Sequence, residues 1–154
     1  MCGIAGLIHR GKSSDVGSEM TSMLQSLKHR GPDSTGFALY GAGNDNSYVM
    51  RLNVAEQEDM RKSYEIHQQV KDRLVKVDSR LAEIGVNVTN REATTEYSHR
   101  YHFNFDGDMR KLADYIEDVD GTEILSIGSA LELIKDLGDA TTVSEQYNLA
   151  GFKG

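Results

Sequence analysis

Leu27-Lys28-His29-Arg30-Gly31-Pro32-Asp33-Ser34 is the stretch on which the reading of this chain turns. It holds the only proline in 154 residues. Proline cannot continue a helix, and it biases the residue before it away from helical backbone. Upstream, Met20, Met23, Leu24 and Leu27 fall at i, i+3, i+4 and i+7, one face of a 3.6-residue period, and predict a helix. Lys28, His29 and Arg30 set cations at its C-terminus, and Gly31-Pro32 ends it. Downstream, residues 34–41 predict a buried strand, and residues 2–8, small and apolar, predict another at the start of the chain.

That first strand opens Met1-Cys2-Gly3-Ile4-Ala5-Gly6, and Cys2 is the sole cysteine. One cysteine excludes an internal disulfide framework and a multi-cysteine metal site. Its position gives it another use. Removal of Met1 would leave a thiol and a free α-amine on one residue. An α-amine ordinarily titrates near ~8, so it accepts a thiol proton near neutral pH.

Farther along, the pattern changes. Residues 48–54 predict a strand. Residues 56–84 predict a long charged helix with Met60, His67, Val70, Leu74, Val77, Leu81 and Ile84 in one stripe. Strands are expected at 86–97 and 99–105, the second with Tyr101, Phe103 and Phe105 on one face. Met109, Leu112, Ala113 and Ile116 mark a helix, and residues 124–127 a strand. Ser129 with Glu132 reads as a capping box opening a helix through Leu137. From residue 48 the order is β-α-β-β-α-β, the pattern of a ferredoxin-like module. The expected class is α+β, with the chain divided into 1–54, an inserted module at 55–140, and a return at 141–154. Membership of residues 48–54 is left open between host and insert.

Two motifs in order, Met-Cys-Gly-Ile-Ala-Gly and Leu27 to Ser34, followed by Gly36-Phe37-Ala38-Leu39-Tyr40, resemble the opening of class II glutamine amidotransferase domains, which are N-terminal nucleophile (Ntn) hydrolases. The resemblance covers about the first forty residues. It implies part of an αββα sandwich, with Cys2 as nucleophile and with Arg30 and Gly31 in the glutaminase site. Arg30 would position the N-terminal segment by hydrogen bonds. The family's Arg-x-x-Thr grip on the substrate carboxylate, its Asn-Gly oxyanion hole and its amine-binding aspartate have no counterpart here. The chain therefore reads as the N-terminal part of such a domain, with little glutaminase activity expected of these 154 residues alone. The early insertion looks most like the amidotransferase subunit of glutamate-synthase-like enzymes. That implies glutamine as substrate and a synthase partner accepting ammonia. No cofactor is expected in this chain; FMN and an iron–sulfur cluster would belong to partner subunits. The competing reading is a non-catalytic docking or small-molecule-sensing α+β module.

A net charge of −7 with no basic run argues against nucleic acid. No apolar stretch approaches the ~18–20 residues of a membrane span, and no signal pattern opens the chain, so a cytoplasmic location is expected. Open strand edges leave room for a homo-oligomer. His99 and His102, three apart on a strand, point to opposite faces, and no metal site is expected.

Overall fold

The computed structural model describes residues 2–11, 13–31, 33–43, 46–60 and 64–154. Pro32 and Arg61 to Ser63 lie outside them, so the stop assigned to Pro32 and the join within the long predicted helix do too. The class is α+β, with two sheets whose pairings are all antiparallel. The chain divides into two compact units, residues 1–42 with 131–154, and residues 43–130.

In the first unit, α1 (Val16–Ser26) runs into a short 3-10 turn at Lys28–Arg30, and β1 (Ser34–Tyr40) follows. Asp15 caps α1, accepting from the Ser18 N–H at 3.0 Å. β1 pairs with β6 (Leu131–Leu137), and Tyr40 lies opposite Leu131. Departure and return of the chain are therefore side by side in one ladder. α5 (Ala140–Gln146) follows, capped by Asp139. Phe37, Leu39, Ile134, Val143, Tyr147 and Leu149 form the core, with Val16, Met20 and Leu24 of α1 packed on it.

Two expectations fail here. Residues 131–137 are a strand, not a helix. Leu133, Ile134 and Leu137 have helical spacing, but the buried side chains are Glu132, Ile134 and Asp136, while Leu133 and Leu137 are exposed. Carboxylates on the inner face and leucines on the outer one hide the period of two. Asp136 is accommodated by accepting from the Tyr147 hydroxyl at 2.8 Å, as a buried polar group requires. The second failure is the strand expected at residues 2–8. They form no strand, and Ile4 and Ile8 are 91% and 89% exposed. An apolar extended sequence becomes a strand only where a neighbour offers backbone partners. Among the described residues none pairs with it.

The second unit contains β2 (Ser47–Asn53), the short α2 (Gln57–Met60), α3 (Tyr64–Glu83), β3 (Asn87–Ala93), β4 (Ser98–Asn104), α4 (Met109–Glu117) and β5 (Glu123–Gly128). Its sheet order is β3-β4-β2-β5, so β4 separates β2 from β3 and β2 separates β4 from β5. That is the split β-α-β arrangement, twice over. β2 sits centrally in this sheet, so residues 48–54 fall in this unit, while 131–137 fall in the other. Val70, Val77 and Leu81 of the α3 stripe are buried with Met50, Leu52, Tyr101, Phe103, Leu112 and Ile116. The stripe is a core face. Asp108 caps α4, accepting from Arg110 and Lys111.

One side of β4 carries a polar cluster. Tyr101 is fully buried and donates to Asp78 of α3 at 2.8 Å, and Arg91 of β3 pairs with the same carboxylate. His99 lies on this side, opposite Leu52, and neither ring nitrogen has a hydrogen-bond partner. Its burial, and secondly the Arg91 guanidinium, push its pKa down from 6.5 to about 4. The unfolded chain binds that proton near pH 6.5 and the folded one only near pH 4. The stabilisation from neutral His99 is therefore complete above pH 6.5 and is lost as pH falls toward 4. His99→Leu should remove from the pH dependence on the order of 2 kcal/mol of loss between pH 7 and 4.5. Urea melts of both proteins at the two pH values measure it. An equal loss in the two would refute the assignment.

Candidate active site

The N-terminal segment runs along α1. Cys2 is exposed with a free thiol. Its neighbour Gly3 is seated tightly: a Cβ built there would lie 3.0 Å from the Leu27 Cβ and 3.7 Å from the Arg30 Cβ. A side chain at this position would make Leu27 or the segment give by a few tenths of an ångström. The two motifs, separated by a whole helix in sequence, thus meet in space because the 3-10 turn ends the helix under Gly3.

Beside this contact lies a cavity of about 90 Å³. Gly3, Leu27, Lys28, Gly31, Gly36 and Asp139 are among its walls. Of the three expected site residues, Gly31 lines this cavity, the Arg30 stem abuts Gly3, and Cys2 is the adjoining residue. The hydrogen bonds expected from the Arg30 guanidinium are not made among the described residues; the side chain is exposed. Contact through its stem is what relates it to the N-terminal segment.

Asp139 was not singled out by sequence. Its carboxylate accepts from the Thr142 N–H at 3.0 Å, the Gln25 amide at 3.1 Å and the Thr142 hydroxyl at 2.9 Å. The Thr142 N–H chiefly, then Gln25 and the Thr142 hydroxyl, draw its pKa down from 3.8 to about 2. With Oδ1 capping α5 through Thr142 and Oδ2 held by Gln25 of α1, it shapes the cavity wall. The Asp-x-x-Thr spacing of an N-cap was its readable signal.

A larger cleft of about 940 Å³ opens between the segment, α1 and β1. Ile4, Leu7, Ile8, Met20, Leu24 and Phe37 give it apolar walls. Among the described residues, no group of three or more His, Cys, Asp and Glu side chains is placed to hold a metal ion, and no helix is long and apolar enough to cross a membrane.

No protein-family model matches the sequence. A search of curated proteins does find a relative, one that bears the name "Putative glutamine amidotransferase", from Methanothermobacter thermautotrophicus. This chain is similar to it over its whole length. The two are 30% identical over 159 aligned positions, covering 100% of this chain and 49% of the relative. The chain thus spans about half the length of that protein.

Proposed function

We propose that this chain carries the nucleophile of a glutamine amidotransferase of the class II type. Cys2, freed of Met1, attacks the side-chain amide carbon of glutamine. Its own α-amine takes the thiol proton and returns it to the leaving ammonia. The glutamyl thioester that results is hydrolysed to glutamate, and the ammonia goes to a synthase partner of the glutamate-synthase-like kind. The 43–130 unit is, in this reading, an insertion carried by the amidotransferase domain. One observation carries the reading: the Cys2-Gly3 step rests against the turn that bears Arg30 and Gly31. The whole-length similarity to a protein with an amidotransferase name supports it.

The test uses the full-length protein and a glutamine analogue with a chloroketone in place of the side-chain amide. Peptide mass spectrometry reads the adduct. The expected product is a Met1-free N-terminal peptide alkylated at Cys2, protected by excess glutamine. Retained Met1, or an unmodified Cys2, would end the proposal.

A further inference from the structure

We infer that the His9–Glu19 pair is the tether that holds the Cys2-bearing segment in place along α1. The His9 Nε2–H faces both Glu19 oxygens, at 2.9 and 3.1 Å. Among the described residues, this is the polar contact that joins residues 2–11 to the rest of the first unit; no backbone hydrogen bond does so. Apolar packing of the segment is thin: Ile4 and Ile8 are exposed, and Ala5 and Leu7 are only half-buried along the cleft. The segment is therefore pinned at two points, Gly3 on Leu27 and His9 on Glu19.

The two pins are unequal in span. Six residue steps from Gly3 to His9 can reach ~20 Å when extended. The eight helical steps from Glu19 to Leu27 cover ~12 Å. The segment has slack, and the apolar cleft lies under it. Without the tether, the Gly3 contact and the half-buried Ala5 and Leu7 would be left to limit where Cys2 goes. His9 and Glu19 are positioning residues in this account; neither touches the reacting atoms. Their bearing on Cys2 rests on the function proposed above, whereas the tether itself does not.

Both partners are partly exposed, so the pair is a modest restraint. In the full-length protein, ¹⁵N relaxation of the Gly3 and Gly6 amides reads it directly. Glu19→Ala should lower their order parameters from rigid values near ~0.85 toward ~0.6. Glu19→Gln keeps an acceptor for Nε2–H and should restore most of the order. In parallel, the maximal rate of Cys2 alkylation by the glutamine chloroketone should fall about threefold to fivefold in Glu19→Ala. Its half-saturating concentration and the rate with iodoacetamide should stay unchanged. Unaltered order parameters in Glu19→Ala would overturn the tether. Lowered order with an unaltered alkylation rate would overturn its role in placing Cys2. A wild-type protein inert to the chloroketone would sink the proposed function, and the order parameters would still decide the tether.

Discussion

Cys2→Ala is expected to lower glutamine hydrolysis by the full-length protein by about 10³-fold or more, with the fold intact. The side chain is exposed and packs into neither core, so its removal should leave Tm unchanged. A nucleophile deleted outright cannot be replaced by its neighbours. Ammonia release measured in an enzyme-coupled assay decides the matter. Activity above a tenth of wild type in Cys2→Ala would take this residue out of the reaction.

Gly17→Ala should destabilise the first unit by ~2–3 kcal/mol or more. Helix propensity alone points the other way, since alanine in a helix is favoured over glycine by up to ~1 kcal/mol. The structure reverses the sign. A Cβ on Gly17 would stand 1.9 Å from the Leu149 carbonyl oxygen and 3.1 Å from the Phe152 Cβ. The obstacle is backbone, held in turn by the Gly17 N–H donating to the Phe152 carbonyl at 3.3 Å and by Asp15 accepting from Gly151 at 3.0 Å. It cannot yield as a flexible side chain would. A fall in Tm on the order of 5–10 °C should appear in thermal melts. A melting temperature equal to or above wild type would show that the 149–152 segment gives way at little cost.

Legibility differed between elements for identifiable reasons. The α3 face and the β4 strand could be read because Val70, Val77 and Leu81, and Tyr101 and Phe103, are buried at the helical and strand periods. By contrast, α1 half-buries Met20 and Leu24 but leaves Met23 exposed, and β2 buries Arg51 between Met50 and Leu52. The split arrangement of the second unit followed from element order, as crossover helices separate strands that hairpins cannot. His99 and His102 do fall on opposite sides of β4, as period two requires. β6 was misread because its buried face is partly carboxylate, and burial of Glu132 and Asp136 is decided by partners outside the local sequence. α5 was missed because the Asp139 cap and two threonines mask a short apolar face, Ala140 and Val143.

For the candidate site, the chemistry of a thiol at position two nominated Cys2, whereas Arg30 and Gly31 were nominated only by the family resemblance of the 27–34 stretch. Sequence could not show what the residues touch. That the segment behind Cys2 is unpaired, that Gly3 rather than a guanidinium hydrogen bond meets the Arg30 turn, and that Asp139 borders the cavity all depend on residues far apart in sequence. The sequence by itself determined which segments are helical or extended wherever burial follows hydrophobicity, and where a nucleophile could stand. Tertiary structure alone decided the rest. Strand pairing, close approach of backbones at Gly17 and burial of a carboxylate are set by free-energy terms between distant residues, and local composition carries no record of them.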